Sequence, residues 1–256
     1  MEIRVETSLN GAVSVRSVSV TMRTPGHDFE LAVGFLFSEG ILRDREEVQE
    51  VTYCRSGAGL QEYNVVTVRL KEGVALDPDL LNRNFYTTSS CGVCGKASLE
   101  AVEVRGCEPL PDGGLQLEAH ALPRMPETLL EGQKGFRRTG GLHAAGLFDA
   151  QGNVMALRED VGRHNAVDKI VGQSLLEGRV PLHDRVLVVS GRTSFEILQK
   201  ALAAGIPAVV AVGAPSTLAV ELARRFNVTL IGFARGKRFN LYAGGARVLD
   251  WQGEGE

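Results

Sequence analysis

A chain of 256 residues, 44% of them apolar, can bury one large core or two ordinary ones. Its formal charge of -3, from 28 basic against 31 acidic residues, argues against general nucleic-acid binding, so any basic site is local. Four cysteines do not make a disulfide framework at this length. No apolar run reaches the roughly 18 to 20 residues of a membrane span, and Met1 to Thr7 lack the basic flank and apolar core of a signal peptide. These features predict a cytoplasmic protein with reduced thiols.

Residues 3–22 predict a strand pair turned at Asn10-Gly11, with Val13, Val15, Val18 and Val20 alternating with Ser and Arg. Thr24-Pro25-Gly26-His27-Asp28 then leads into a helix predicted over 29–39 and closed by Gly40. Its apolar residues, Phe29 through Phe37, cover most of the circumference, which predicts burial on more than one side. Asp28 and Glu30 suit the dipole of its first turn, and His27 reads as a hydrogen-bonded structural histidine. Strands are expected over 46–53 and 63–70, with Cys54 a small half-buried residue at the end of the first.

Residues 87–96 read TTSSCGVCGK, and they place Cys91 and Cys94 beside a short predicted helix that Ser89 or Ser90 can cap. Free amide donors, the helix dipole and Lys96 all favour a thiolate there. A Cys-x-x-Cys pair has three readings. Half of a structural zinc site needs two more ligands, and Cys54 and Cys107 stand isolated. A thioredoxin-like pair closes the first strand of a βαβ unit, which is missing around these residues. The third reading is a nucleophilic or sulfur-carrying cysteine with a neighbour that resolves or shares the load.

A run of turn formers from Cys107 to Gly114 marks a change of texture, and the boundary falls between about Gly106 and Pro126. The division predicted is an N-terminal α+β domain over 1–118 carrying the cysteine loop, an α/β domain over 119–250, and a tail over 251–256. In the second unit, helices are expected over 127–138, 164–176, 193–204 and 216–226, and strands over 143–148, 154–158, 185–189, 207–212 and 228–233. Continuous apolar runs such as Val186 to Val189 and Ala208 to Val212 predict a largely parallel sheet with helices on both faces.

In such a sheet ligands settle at the carboxyl ends of strands. Three junctions there, 159–165, 190–194 and 213–217, open helices with glycine and a hydroxyl or amide residue, and two carry arginine. Each alone is an ordinary cap; together with the basic segment from Phe233 to Asn240 they suit phosphate or pyrophosphate. No Gly-x-x-x-x-Gly-Lys-Ser/Thr motif occurs, which excludes a P-loop nucleotide hydrolase. His164 and Asp168, four apart on a helix, are placed to face each other, with a structural or ligand-positioning role favoured over proton transfer.

Five stretches, Thr24 to Gly40 (TPGHDFELAVGFLFSEG), Ser89 to Lys96 (SSCGVCGK), Thr139 to Ala145 (TGGLHAA), Glu159 to Lys169 (EDVGRHNAVDK) and Ser190 to Glu196 (SGRTSFE), together resemble the FdhD family, the accessory sulfurtransferases of formate dehydrogenase. The resemblance runs from about Thr24 to Tyr242. It implies a protein that accepts sulfur from a cysteine desulfurase as a cysteine persulfide and passes it to the molybdenum cofactor in its bis-guanine-dinucleotide form. Cys91 would bear the persulfide and Cys94 would be its partner, while Phe233, Ala234, Arg235, Gly236, Lys237 and Arg238 would bind the cofactor as cargo. It further implies a cytidine-deaminase-like three-layer α/β fold, a homodimer, formate dehydrogenase as a partner, and no tightly bound metal. The zinc-binding pattern of deaminases is missing from the corresponding helix starts, Gly162 to Asn165 and Gly191 to Ser194. The rival readings are a cofactor-shielding chaperone whose cysteines do no chemistry, and a zinc-stabilised binding module.

Overall fold

The computed structural model of the chain describes residues 1–55, 61–74, 76 and 107–251. The first hairpin pairs β1 (Glu2–Leu9) with β2 (Ala12–Val20). Its turn takes positive φ at both Asn10 and Gly11, as a two-residue hairpin matched to strand twist requires. After helix α1 (Asp28–Ser38) come β3 (Val48–Arg55) and β4 (Gln61–Leu70), completing a sheet of order β2-β1-β4-β3 in which β1 and β4 run parallel.

Ile3, Val5, Val66, Val68 and Leu70 turn one face of this sheet onto Ala32, Val33, Phe35 and Leu36 of α1, a core in its own right. The acidic residues of the α1 first turn serve specific partners rather than the dipole alone. Arg23 donates to the buried Asp28 at 2.8 Å, as does the Tyr53 hydroxyl at 3.2 Å, and Arg158 forks onto Glu30 at 2.5 and 2.8 Å. His27 sits in the left-handed region at the helix start with Nδ1 3.2 Å from Glu30.

The second unit begins with β5 (Leu117–Glu118), helix α2 (Met125–Gly132) and helix α3 (Lys134–Thr139). Then follow β6 (His143–Phe148), β7 (Val154–Asp160), α4 (Arg163–Leu176), β8 (Val186–Val189), α5 (Phe195–Ala203), β9 (Ala208–Ala211), α6 (Thr217–Arg225), β10 (Thr229–Arg235), β11 (Arg238–Ala243) and β12 (Val248–Leu249). The main sheet has the order β11-β10-β9-β8-β6-β7. Val167, Ile170 and Val171 of α4 pack with Ile197, Leu198 and Ala201 of α5 and Leu222 of α6 on one of its faces. Met125 and Leu129 of α2 pack on the other, over Val186, Val188, Val210 and Ile231. The sheet therefore has helices on both sides.

Its strand directions correct the expectation of a largely parallel sheet. Only β8, β9 and β10 run parallel; β6 is antiparallel to both β7 and β8, and β11 to β10. The cause is connection length: α5 and α6 supply the two crossovers that parallel neighbours need, whereas β6–β7 and β10–β11 are joined by tight turns that force reversal. Strand β11 lies in a stretch read from sequence only as a basic segment. Residues 107–118 lie against this unit: the Leu110 N–H donates to the Phe226 carbonyl at 3.0 Å, Arg247 donates to the Pro111 carbonyl at 2.5 Å, and β5 pairs with β12.

The expected helix over 127–138 is also two helices, broken at Gln133, whose ψ of 80° leaves the helical region. Both carboxylate oxygens of Glu159, on β7, accept backbone N–H groups at the start of α3, from Gly135 and Phe136 at 2.7 Å each. Those bonds restart the helix in a new direction. Glycine suits the elbow because a Cβ on Gly135 would stand 2.6 Å from the Leu142 side chain and 3.0 Å from the Glu159 carboxylate.

The two units meet where α1 crosses α4. Lys169 places Nζ 2.7 Å from the fully buried Asp160 and also donates to the Thr24 carbonyl at 2.9 Å. Asp160 in turn accepts from the Thr24 N–H at 3.0 Å, the Gly162 N–H at 2.9 Å and the Asn165 amide at 3.0 Å. The conspicuous stretches 24–40 and 159–169 are thus one buried polar seam.

Candidate functional site

The carboxyl ends of β8, β9 and β10 lie side by side, and the loops that leave them are tied together. The Gly213 N–H donates to the Gly191 carbonyl at 3.1 Å, Thr193 to Ala214 at 3.2 Å, Ser216 to Thr193 at 2.9 Å and Phe233 to Gly213 at 3.3 Å. These bonds spend amides that sequence alone offered to a phosphate. At α6 the Ser216 hydroxyl accepts from the Ala219 N–H at 3.2 Å, an ordinary cap. At α5 the Ser194 hydroxyl lies 3.0 Å from His164 Nε2 and makes no cap. At α4 the cap residue is Gly162, and no side chain caps the helix.

His164 and Asp168 do not pair. His164 turns to Ser194, with Glu196 3.9 Å away, and burial, aided by the charges of Lys200 and Arg163, lowers its pKa to about 4. The ring is therefore neutral at pH 7. Asp168 faces the other way, accepting from Lys200 at 2.8 Å and from the Ser38 hydroxyl at 3.1 Å. His164 thus links α4 to the start of α5, and Asp168 links α4 to α5 and to Ser38 of α1.

Among the described residues, Arg163, the first residue of α4, has a buried Nε that meets no hydrogen-bond partner, as does the buried hydroxyl of Thr193. Its charge is felt by His143, whose pKa is lowered by burial first and by Arg163 second. Gly191 keeps this corner narrow: a Cβ there would lie 3.5 Å from His143 Nδ1 and 4.0 Å from Arg163 Cδ.

Beside His143 opens a cavity of about 380 Å³ between the α2–α3 elbow and the strand ends. Pro126, Leu130, Gln133 and Phe136 line it from the helices, Gly140 to His143 from the loop before β6, and Ser190 and Val212 from the ends of β8 and β9. Glu159 holds one wall by fixing the start of α3. Glu159→Ala is expected to cost about 1–3 kcal/mol by leaving two amides without their charged acceptor. Urea unfolding measures this, and the loss should exceed that of Glu159→Gln, which keeps one acceptor oxygen.

The predicted cargo-binding residues 233–238 form the end of the β10–β11 hairpin. Arg235 pairs with Arg238, and Gly236, with φ of 62°, makes the turn with Lys237. Phe233 sits at a bulge in the left-handed region and is 49% exposed, whereas Ala234 is buried. Arg235, Lys237 and Arg238 are all exposed. The Gly236 N–H donates to the Glu127 carboxylate at 3.2 Å, which ties the hairpin to α2 one residue from cavity-lining Pro126. Structure thus joins residues 233–238 to the helix that walls the cavity. Cys91 and Cys94 lie outside the described residues. Among the described residues no three His, Cys, Asp or Glu side chains converge to hold a metal.

Sequence reasoning missed Gln133, Phe136 and Val212 as cavity residues. No motif marks them, whereas two of the stretches singled out in the sequence, Thr139 to Ala145 and Ser190 to Glu196, supply Gly140 to His143 and Ser190.

The profile of the FdhD/NarQ family matches residues 1–249. Among curated relatives, the sulfur carrier protein FdhD of Streptomyces avermitilis is 51% identical over 247 residues, covering 95% of this chain and 86% of the relative. That of Mycobacterium tuberculosis is 51% identical over 253 residues, covering 96% and 91%. A crystal structure described as that of a formate dehydrogenase accessory protein from Desulfotalea psychrophila superposes with a TM-score of 0.67 at 26% identity, covering 97% of this chain and 90% of that one.

Proposed function

The chain belongs to the FdhD/NarQ family, and we propose that it is a sulfur carrier that loads a persulfide on Cys91 and delivers that sulfur to the molybdenum cofactor destined for formate dehydrogenase. In this reading the Cys91 thiolate attacks the outer sulfur of a desulfurase persulfide and releases the desulfurase thiolate. Cys94 then attacks the inner sulfur of the Cys91 persulfide. The products are a Cys91–Cys94 disulfide and hydrosulfide, so the dithiol supplies the two electrons that reduce the carried sulfur. The cargo is the cofactor in its bis-guanine-dinucleotide form, whose pyrophosphates suit guanidinium and ammonium groups.

The observation that carries this reading is the exposed basic hairpin end, Arg235 to Arg238, tied through Glu127 to the helix bordering the cavity. It offers cations to phosphates beside an enclosure for the rest of a nucleotide. After incubation with a cysteine desulfurase and cysteine, alkylation and mass spectrometry should find an added sulfur of about 32 Da on the Cys91 peptide. An unmodified peptide, with Cys91→Ala still activating formate dehydrogenase, would instead leave a cofactor-shielding chaperone.

A further inference from the structure

The contact that ties the basic hairpin to α2 also occupies it. Arg235 and Arg238 pair across a two-residue turn in which Gly236 takes a φ of 62°, and the central amides of such a turn take no part in the strand ladder. The Gly236 N–H is left to find an acceptor of its own, and the Glu127 carboxylate supplies it at 3.2 Å. Glu127 stands in the first turn of α2, where the helix dipole favours a negative charge. Among the described residues no other carboxylate bonds this end of the hairpin, and the exposed Arg235, Lys237 and Arg238 form no ion pair.

A carboxylate held on a turn amide, with three cations within the same four residues, has the charge and the place of a phosphate oxygen. The bond is single, and both Glu127 and Gly236 are exposed, so it is worth little. A pyrophosphate brings more charge and more acceptor atoms to the same amide and cations, and once seated it repels the carboxylate. On its other side the hairpin end is braced by the Phe233 N–H, which donates to the Gly213 carbonyl at 3.3 Å. Loss of the Glu127 contact therefore frees the turn from α2 while the strand behind it stays in the sheet.

We propose that Glu127 is a latch on the phosphate-binding hairpin: its carboxylate holds the Gly236 amide until a pyrophosphate takes its place, and the exchange releases the turn from the helix that walls the cavity. This rests on the assignment of the cargo's phosphates to the hairpin made above. A threshold follows. A singly charged anion gains too little from the cations to expel a carboxylate already tethered there, whereas a pyrophosphate gains enough.

Calorimetric titration of the full chain with pyrophosphate tests this, comparing wild type with Glu127→Gln, Glu127→Ala and Glu131→Gln. The last removes an exposed carboxylate one turn further along α2 that bonds no hairpin amide among the described residues. Both Glu127 variants should bind pyrophosphate about 3- to 10-fold more tightly, and Glu131→Gln should bind as wild type does. In amide NMR spectra the Gly236 resonance of wild type should move when pyrophosphate is added, and Glu127→Ala should already displace it without the anion. Equal gains at positions 127 and 131 would reduce the effect to bulk charge and overturn the proposal. So would Glu127 variants that bind no better than wild type, or a Gly236 resonance that stays in place while pyrophosphate binds. Failure of the cargo assignment, which takes the latch with it, looks different: wild type, Arg235→Ala and Arg238→Ala would then titrate alike.

Discussion

Gly172→Ala is expected to destabilise the protein by about 3 kcal/mol or more, read as a lower urea midpoint at unchanged slope. Helices α1 and α4 cross with their backbones in direct contact. A Cβ on Gly172 would fall inside the Glu30 carbonyl oxygen, and one on Gly34 inside the Asp168 carbonyl oxygen. Neither obstacle is a side chain that can swing aside; relief requires the helices to move apart. Separation would in turn strain the buried seam in which Lys169 bridges Asp160 and Thr24. Gly34→Ala should behave alike. Gly132→Ala is the control, because its Cβ meets mainly the Leu157 side chain, which can turn away, and a cost nearer 1 kcal/mol is expected. Equal losses at positions 132 and 172 would refute the backbone-contact explanation.

This crossing shows what the amino-acid order could and could not reveal. A helix apolar around most of its circumference predicts burial on two sides, and α1 is indeed held between its own sheet and α4. Nothing in residues 24–40 says which later helix covers the second side, since Gly34 and Gly172 acquire meaning only as a pair. Local chemistry was legible: Asn10-Gly11 announced a hairpin, and continuous apolar runs such as Val186 to Val189 announced strands covered on both faces. Strand direction was not, because it depends on which neighbours the crossovers reach.

At the site the same division holds. The basic residues 235–238 stood out by charge, yet the hairpin presenting them was hidden. Strand β11 mixes exposed Arg238 and Asn240 with partly buried Phe239 and Leu241, a short and weak alternation. Gln133 gave no signal because one glutamine in a helical stretch looks like any surface residue. Its burial comes from the break that Glu159 imposes from a strand 26 positions onward, as the numbering shows. Conversely, the glycine and hydroxyl residues after β9 looked like a phosphate cradle, and the structure spends Ser216 on capping and Gly213 on bracing the neighbouring loop.

Lys200→Met should cost about 3–5 kcal/mol at neutral pH, because it leaves Asp168 as an uncompensated buried charge. Asp168 is fully buried on α4 and Lys200 reaches it from α5, with Glu39 of the N-terminal unit 3.7 Å from the same ammonium. Burial raises the Asp168 pKa to about 6, against the downward pull of Lys200; Glu39 adds to the rise and Ser38 opposes it. In the unfolded chain this carboxyl returns to its ordinary value of 3.8. Between those values the folded state binds more protons than the unfolded chain, so this group makes wild-type stability fall as pH rises from about 4 to about 6 and leaves it level above. Without Lys200 the main downward pull is gone and the folded pKa moves higher. The deficit of Lys200→Met relative to wild type should therefore be largest near pH 8 and shrink toward about pH 5, where a protonated Asp168 needs no cation. Urea unfolding of both proteins across that range measures it. Asp168→Asn in the Lys200→Met background should recover most of the loss at the alkaline end, since an amide carries no charge to compensate. A deficit that stays constant with pH would mean that Lys200 stabilises the junction by packing its stem rather than by holding the buried carboxylate.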